Sequence, residues 1–262
     1  MQTRTVSAAG RMNRRPLVYD VGLNNGDDAA YYLKKGFDVI GIDAHAGLCH
    51  QCNERFRDEI AEGRMRVLNV GVGDHEGTMD FFHNDTEDAV STFYPQSWEG
   101  LGWSPARDWR AARVHVRKLS SIIREYGEPY FVKIDVEFVD HIVLLDLLTA
   151  GILPEHVSAE AQLIDVYHAL VRMGYDSFKI VRGMQIPTEF ADCEVRSLDG
   201  KLVQHRFSPK SSGPFADDLP GQWMTGQDAL DRLLAGGLGW VDLHATRGRS
   251  TASSSENIRV HA

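Results

Sequence analysis

Short apolar runs alternate with helix-like segments along this chain, and this alternation constrains the fold more than any other feature of the sequence. Runs such as Leu17–Asp20, Tyr130–Asp135 and His156–Glu160 have the composition of buried strands, whereas Asp27–Lys35 and Val139–Ala150 resemble helices that end at a glycine. Strands that alternate with helices form a parallel sheet covered on both faces, so we predict an α/β fold. The remaining predicted strands are Phe37–Asp43, Met65–Asn69, Gly77–His83, Ser177–Val181 and Gly239–Leu243, and the remaining predicted helices are His45–Ala61, Leu119–Tyr126, Leu163–Met173 and Gln227–Ala235.

The length of 262 residues is enough for one large α/β domain with flexible ends. We predict a disordered arm over residues 1–15, one domain over residues 16–246 and a disordered tail over residues 247–262. The tail is rich in Ser, a composition typical of disorder. Within the domain, residues 182–226 are predicted to form a loop-rich insert.

The charge balance argues against some classes of partner. The formal net charge is −9, and binding to phosphates needs clustered Lys and Arg, so we expect neither nucleic acid nor an anionic membrane as the main partner. No apolar run is long enough to span a bilayer, and residues 1–15 lack the apolar core of a secretory signal. Three cysteines in such a chain lead us to expect reduced thiols and a cytoplasmic location.

Five predicted strands end in a polar residue that can form hydrogen bonds. These residues are Asp20, Asp43, Asn69, Asp135 and Glu160. In a parallel sheet such ends lie at one edge, and open α/β sheets bind ligands at that edge, near the point where the strand order reverses. Strands often terminate at polar residues, so each one has a structural explanation by itself. Together they predict a shared polar pocket.

The first predicted strand leads into a glycine-containing loop. Gly22 and Gly26 permit a tight turn and the close approach of a ligand to the backbone. Asp43 follows about twenty residues later, at the end of the next strand, where a carboxylate can accept hydrogen bonds from both hydroxyls of a ribose. This combination predicts a cofactor that contains a nucleoside.

The same loop does not suit a dinucleotide. In the pattern G-x-G-x-x-G the second glycine makes room for a pyrophosphate, and Asn24 occupies that position here. Asp27 and Asp28 place negative charge at the start of the next helix, which suits the helix dipole but would repel a pyrophosphate. A cofactor with a cationic amino acid end and no phosphate fits better, and S-adenosylmethionine (SAM) is such a molecule.

Several segments resemble the FkbM family of methyltransferases. The resemblance spans roughly Leu17 to Ala245 and is carried by VYDVGLNNGDDAAYYLKKG, FDVIGIDA, NVGVGDHEGTMDF, YFVKIDVE, SSGPFADDLPGQW and GWVDLHA. It implies a Rossmann-like class I methyltransferase fold with a mostly parallel seven-stranded sheet, helices on both faces and an antiparallel last strand. It also implies methyl transfer from SAM to a hydroxyl of a small molecule such as a sugar, a polyketide or another natural product.

The resemblance implies two sets of site residues. The expected cofactor-binding residues are Asp20, Gly22, Asn24, Gly26, Asp43, Ala44, Asn69 and Val70. Among them the loop residues would hold the methionine end of SAM, Asp43 would hold its ribose, and Asn69 with Val70 would lie near its adenine. Asp135 and Glu137 would face the transferred methyl group or the acceptor.

A hydroxyl acceptor must lose its proton, and three acids are candidates for this step. Asp135, Glu137 or Glu160 could act as the base if desolvation raises its pKa toward neutrality. The three could instead bind a divalent cation that acidifies the hydroxyl, an alternative that we do not favour from the sequence. Each acid could also make only a structural hydrogen bond. Lys133 shares a strand face with Asp135 and would need a carboxylate partner if it were buried.

One departure falls within the most specific motif. The family pattern reads I-D-V-E-G-x-E, whereas Phe138 stands at the glycine and Asp140 at the last glutamate. Phe138 could narrow the pocket, select an aromatic or flat acceptor, or accompany a loss of transfer activity. A binding protein of the same fold without catalysis is therefore one alternative, and a nicotinamide-dependent oxidoreductase is another. The sequence predicts neither the identity of the acceptor nor the oligomeric state.

Overall fold

The computed structural model describes residues 15–83, 90–100 and 109–249, without the side chains of residues 99 and 100. The predicted N-terminal arm, apart from Arg15, and the predicted tail, apart from residues 247–249, lie outside these ranges. No described helix is long and apolar enough to cross a lipid bilayer.

The described helices and strands follow the predicted alternation. The strands are β1 Leu17–Val21, β2 Asp38–Asp43, β3 Met65–Asn69, β4 Gly71–Val72, β5 Gly77–His83, β6 Arg110–Arg117, β7 Phe131–Ile134, β8 His156–Glu160, β9 Ser177–Arg182, β10 Cys193–Arg196, β11 Leu202–His205, β12 Met224–Thr225 and β13 Val241–Thr246. The helices are α1 Asp27–Lys35, α2 Ala46–Arg55, α3 Arg57–Ala61, α4 Pro95–Gly100, α5 Leu119–Tyr126, α6 Asp140–Ala150, α7 Ile164–Arg172, α8 Ile186–Glu189 and α9 Gly226–Gly236.

Eight of these strands form the central sheet, in the order β12–β9–β13–β8–β7–β1–β2–β3. Strands β3, β2, β1, β7 and β8 are parallel, and β13 runs antiparallel between β8 and β9. The predicted mostly parallel sheet with an antiparallel last strand is confirmed, and the short strand β12 adds an eighth strand at one edge. The strand order reverses at β1, whose neighbours are β2 and β7, and ligands bind at such a reversal.

Helices cover both faces of the central sheet because alternate residues of a strand point to opposite faces. In β1, Val18 joins the hydrophobic cluster on one face and Tyr19 joins the cluster on the other, and both side chains are fully buried. Residues of α5, α6, α7 and α9 belong to the cluster of Tyr19, whereas residues of α1 and Phe56 belong to the cluster of Val18. Burial on both faces explains why the strands appear in the sequence as short apolar runs.

The predicted loop-rich insert, residues 182–226, contributes to the core on the α1 side. It contains the short helix α8 and an antiparallel hairpin formed by β10 and β11. Phe215 stacks on Phe131 of β7, with ring centroids 4.1 Å apart and ring planes at 6°, and lies edge-on to Tyr32 of α1. Aromatic packing therefore holds part of the insert against the central sheet.

The structure departs from the prediction at β6 and over His45–Ala61. The strand β6 was not predicted, yet it pairs with β5 from Gly77 to His83 in a separate sheet ordered β4–β6–β5. The single helix predicted over His45–Ala61 is wrong, because Phe56, with ψ of 28°, leaves the helical region and divides the segment into α2 and α3. Phe56 is buried, and its ring packs beside Gly26 in the glycine loop.

Candidate functional site

A cavity of about 450 Å³ opens at the carboxyl ends of β1, β2, β7 and β8. The loop after β1 and the residues that follow β2 and β7 supply most of its polar wall, and Glu160 adds the end of β8. Apolar side chains such as Leu48 of α2, Phe81 of β5 and Trp98 of α4 form much of the remaining wall. The cavity thus lies at the sheet edge where the sequence predicted a polar pocket, beside the reversal in strand order.

Most of the predicted site residues reach this cavity. Those that line it are Gly22, Asn24, Asp43, Ala44, Val70, Asp135, Glu137 and Glu160. Sequence reasoning missed others that also line it, among them Leu48, Phe81, Gln162 and Trp240. The missed residues lie on a helix, in the second sheet and in loops. The prediction used only the residues at the ends of the predicted strands and therefore could not include them.

Three predicted cofactor-binding residues, Asp20, Gly26 and Asn69, do not line the cavity. Asp20 is fully buried in the sheet, and its carboxylate lies 3.4 Å from Lys133 Nζ. Gly26 is packed so closely that a Cβ atom would lie 2.5 Å from the ring of Phe56. These two residues therefore hold the glycine loop in place instead of facing a ligand.

The side chain of Asn69 holds the backbone of two residues that line the cavity, Asp43 and Ala44. Its side-chain amide donates to the carbonyl oxygens of Asp43 and Ala44, at 3.0 and 3.1 Å. These bonds fix the chain immediately after β2. Val70, which follows Asn69, lines the cavity as predicted.

Gly22 occupies a position in the glycine loop that leaves no room for a side chain. Gly22 has a φ of 86°, and a Cβ atom there would lie 1.8 Å from the backbone oxygen of Asp135. Its N–H donates to Ile42 O at 2.9 Å. The loop after β1 is therefore pressed between the ends of β2 and β7, where only glycine fits.

The carboxylate of Asp43 is oriented by two backbone donors. Its Oδ2 accepts the N–H of Asn24 at 2.8 Å, and its Oδ1 accepts the N–H of His45 at 2.8 Å. Burial raises the pKa of Asp43, and the two N–H donors oppose that rise by stabilising the charged form. Each oxygen keeps further acceptor capacity, so the carboxylate can still bind two hydroxyl groups.

Lys133 lies at the centre of a buried group of charges. Its Nζ donates to Gly22 O at 3.0 Å and lies 3.3 to 3.6 Å from carboxylate oxygens of Asp135, Asp20 and Asp28. Burial alone would lower the pKa of Lys133, but the three carboxylates outweigh this effect and raise it well above its usual value. The expectation that a buried lysine here would need a carboxylate partner is confirmed.

Asp28 belongs to the same charged group, a role that its position at a helix start did not reveal. Both of its side-chain oxygens accept the N–H of Ser212 at 3.0 Å, which ties α1 to the insert. Burial raises the pKa of Asp28 to about 6 and that of Asp20 to about 7, although Lys133 opposes both shifts. A local sequence pattern cannot predict this role of Asp28, because Asp28 and Ser212 are 184 positions apart in the sequence.

The structure brings Asp135, Glu137 and Glu160 together. One carboxylate oxygen from each lies within 4.8 Å of the other two. Burial is the main cause that raises the pKa of Glu137 well above its usual value, and the charge of Asp135 adds to it. The pKa of Glu160 is also raised well above its usual value, first by burial and then by the charge of Glu137. Lys133 contacts Asp135, so the three acids lie beside the charged group described above.

Phe138 is held in a backbone conformation that favours glycine. Its φ is 75° and that of Glu137 is 53°, both in the left-handed region. The N–H of Phe138 donates to Gln162 Oε1 at 2.7 Å, and the buried ring lies edge-on to Trp98 with centroids 4.8 Å apart. Trp98 lines the cavity and packs against the ring of Phe138. The family pattern has a glycine at the position of Phe138.

Residues 20–172, more than half of the chain, match the methyltransferase FkbM domain. The chain belongs to the FkbM methyltransferase family. The match ends at residue 172, short of the predicted limit at Ala245, so the last part of the FkbM resemblance stays a prediction.

Solved structures of methyltransferases resemble this FkbM family member at low identity. Methyltransferase FkbM from Methylobacillus flagellatus KT is 18% identical, with a TM-score of 0.45 over 67% of this chain. This chain covers 42% of the length of that protein. Precorrin-6y C5,15-methyltransferase from Geobacter metallireducens GS-15 is 7% identical, with a TM-score of 0.40 over 91% of this chain and 83% of that one.

A third structure is that of geranyl diphosphate C-methyltransferase from Streptomyces coelicolor A3(2), in complex with Mg²⁺, geranyl diphosphate and S-adenosyl-L-homocysteine. It is 11% identical, with a TM-score of 0.39 over 91% of this chain and 73% of that one. No curated protein matches the sequence. The strand order of the central sheet and its antiparallel strand β13 agree with the class I methyltransferase fold that the sequence predicted.

Proposed function

We propose that this protein is a SAM-dependent methyltransferase that methylates a hydroxyl of a small molecule. The observation that carries the proposal is the Asp43 carboxylate, which two backbone N–H donors hold at the cavity wall. A ribose can bond to its remaining acceptor positions, whereas Asp27 and Asp28, which also line the cavity, would repel a phosphate. Membership of the FkbM family supports the same function.

The chemistry of the cavity wall fits SAM. The cofactor carries positive charge on its sulfonium and α-ammonium groups, and the carboxylates of Asp27, Asp28 and Asp135 line the cavity around the glycine loop. Adenine needs an apolar surface, and Leu48 and Phe81 offer one in the same cavity. When bound, SAM supplies a methyl carbon made electrophilic by the positive sulfur.

The residues of this chain orient the acceptor and receive its proton. SAM would supply the methyl group and would leave as S-adenosylhomocysteine, and the acceptor hydroxyl would lose its proton to a carboxylate of the cavity wall. Holding the oxygen in line with the carbon can lower the barrier by about 7–11 kcal/mol. Glu137 and Glu160 line the cavity, and burial raises the pKa of each, so either side chain, once ionised, is a stronger base for this proton than an exposed glutamate.

A binding comparison between two aspartates of the same strand tests the cofactor assignment. Asp43 ends β2 at the cavity, and Asp38 begins β2 at the opposite end. We expect S-adenosylhomocysteine, measured by isothermal titration calorimetry, to bind the wild type and Asp38→Asn with similar affinity. Asp43→Asn removes charge-assisted bonds worth about 1.5–3 kcal/mol each, which corresponds to roughly 10- to 150-fold weaker binding per bond.

The same titrations separate the proposal from its competitors. Affinity of Asp43→Asn within a factor of about two of the wild type would refute the ribose assignment, and binding of NADH in place of S-adenosylhomocysteine would favour an oxidoreductase. Failure of the wild type to bind any SAM analogue would favour a protein that has kept the fold without the chemistry. Mass spectrometry of the purified protein for co-purifying SAM or S-adenosylhomocysteine is an independent check.

We also propose a small-molecule acceptor, such as a sugar, a polyketide or another natural product. A cavity of about 450 Å³ falls within the size range of small-molecule sites, and the net charge of −9 argues against nucleic acid or an anionic membrane. All three cysteines are unpaired, which supports a cytoplasmic location. Mass spectrometric detection of a methylated product from a panel of hydroxylated compounds would test the acceptor class.

A further inference from the structure

We propose that Asp135, Glu137 and Glu160 bind a divalent cation that prefers oxygen ligands, and that this cation also binds the acceptor oxygen. The catalytic part of this inference rests on the proposed function, whereas the binding of the cation does not. This inference departs from the preference for a metal-free site that we drew from the sequence.

The first argument is the spacing of the three carboxylates. One oxygen from each lies within 4.8 Å of the other two. Oxygen ligands lie about 2.3–2.6 Å from Ca²⁺ and about 2.0–2.1 Å from Mg²⁺. At the 4.8 Å limit a Ca²⁺ ion therefore needs a small approach of the three side chains, and Mg²⁺ needs a larger one. The residues lie on two adjacent strand ends, because Asp135 and Glu137 follow β7 and Glu160 ends β8.

A separate observation is the state of Glu160. Its residue exposure is 6%, it lines the cavity, and its buried Oε2 has no hydrogen-bond partner among the described residues. A buried carboxylate oxygen without a partner is costly, since desolvation is not compensated by any bond. A cation among the three acids supplies the missing partner.

Glu137 is oriented for the same task by a chain of two hydrogen bonds. The N–H of Phe138 donates to Gln162 Oε1, so the amide nitrogen of Gln162 must face Glu137, and it donates to Glu137 Oε2 at 2.5 Å. Glu137 is therefore an acceptor at Oε2, which leaves Oε1 to take a ligand. The left-handed backbone at Glu137 and Phe138 places this carboxylate at the cavity.

The charge balance of the region points the same way. Lys133 already forms ion pairs with the carboxylates of Asp20, Asp28 and Asp135. Within the described part of the chain, no lysine or arginine forms an ion pair with Glu137 or Glu160. Glu137 and Glu160 therefore have no cationic side chain as a direct partner, and a divalent cation would supply one.

Cation binding can be measured without an acceptor. The full chain is freed of metal with a chelator and titrated with MnCl₂, and free Mn²⁺ is followed by electron paramagnetic resonance, with MgCl₂ and CaCl₂ as competitors. We expect one Mn²⁺ per chain in the wild type. Glu160→Gln should weaken binding at least 10-fold. The matched control is Glu155→Gln, which should bind as the wild type does. Glu155 immediately precedes β8, at the end of the strand opposite Glu160, and is exposed to solvent.

Thermal unfolding guards against a variant that merely fails to fold. Because glutamine matches glutamate in size and the buried Oε2 of Glu160 has no hydrogen bond to lose, the metal-free variant should melt at or above the temperature of the metal-free wild type. Millimolar Mg²⁺ should raise the melting temperature of the wild type and of Glu155→Gln but not that of Glu160→Gln. Asp135→Asn is a second variant and should show the same loss.

The outcomes distinguish this inference from the proposed function. If the metal-free wild type binds S-adenosylhomocysteine but takes up no Mn²⁺ at millimolar concentration, or if Glu160→Gln binds Mn²⁺ as the wild type does, the cation site is refuted. The methyltransferase proposal then stands, with a carboxylate as the base. If Mn²⁺ binds and Glu160→Gln abolishes the binding, the site is supported even where S-adenosylhomocysteine fails to bind.

Discussion

Replacement of Lys133 by methionine tests the charged group beneath the cavity. Methionine matches the length of the lysine side chain but removes its charge, so Asp20, Asp28 and Asp135 lose the cation that lies 3.3 to 3.6 Å from them. Lys133 is 3% exposed, so water cannot replace it. Removing one partner of a buried ion pair typically costs about 3–5 kcal/mol. For a domain of this size that loss corresponds to a fall in melting temperature of roughly 6–20 °C.

The loss should depend on pH in a defined direction. The pKa of Asp20 is raised to about 7 and that of Asp28 to about 6, both above the ordinary value, so the folded wild type binds protons that the unfolded chain has released. The stability due to these protons is present at low pH and is lost as pH rises through 6 and 7. At pH 5 both carboxyls are largely neutral, and Lys133 then has fewer charges to balance. The deficit of Lys133→Met should therefore be smaller at pH 5 than at pH 8.

Chemical denaturation at pH 5 and pH 8 measures this difference, and Lys201→Met is the matched control. Lys201 lies 2.7 Å from Asp199, but both side chains are exposed to solvent, so we expect no measurable change in that variant at either pH. A deficit of less than about 1 kcal/mol for Lys133→Met at pH 8, or an equal deficit at the two pH values, would refute the role that we assign to Lys133.

Three further predictions concern the loop and the core. Gly22→Ala would place Cβ 1.8 Å from a backbone oxygen and should prevent stable folding, whereas Gly63→Ala, with a φ of 73° and no atom within 4 Å of its Cβ, should cost only about 1–2 kcal/mol in urea denaturation. Phe215→Ala removes the ring stacked on Phe131 and should cost about 3–5 kcal/mol by the same assay. Burial lowers the pKa of His244 to about 3, so below about pH 6.5 the unfolded chain binds a proton at His244 that the folded chain does not. The free energy of unfolding therefore falls as pH drops. In His244→Leu the slope of the free energy of unfolding against pH should be smaller by about 1.4 kcal/mol per pH unit between pH 4 and 6.

The parts of the fold that the sequence predicted best are those buried on both faces or closed by a strong local signal. The strands Met65–Asn69 and His156–Glu160 and the helix Asp27–Lys35 have the predicted bounds. Gly36 ends that helix in the left-handed conformation, with a φ of 98°, as a glycine after a helix commonly does. Burial and capping act locally, so they leave a readable pattern.

The strand β6 could not be predicted in the same way. Its sequence, RAARVHVR, carries three arginines and a histidine and is buried mainly at Val116. Pairing with β5 makes it a strand, and this pairing joins residues up to 39 positions apart, as Gly77 with Val116 shows. Polar strands of this kind lack the apolar run that identified the strands of the central sheet.

The candidate site was predicted to the level of the sheet edge but not of the side-chain direction. Asp20 and Asp43 both lie near a strand end, yet Asp20 faces Lys133 inside the sheet and Asp43 lines the cavity. Successive residues of a strand point to opposite faces, so a shift of one position decides whether a side chain is buried in the sheet or lines the cavity. Gln162 was missed because its role depends on Phe138 and Glu137, which are distant in sequence.

The central claim is that the cavity at the strand ends holds the nucleoside of SAM through Asp43. A crystal structure of the chain with S-adenosylhomocysteine tests it most directly. The account predicts adenosine in this cavity, with both ribose hydroxyl oxygens within about 3 Å of the Asp43 carboxylate. Adenosine bound elsewhere, or a ribose without contact to Asp43, would contradict it.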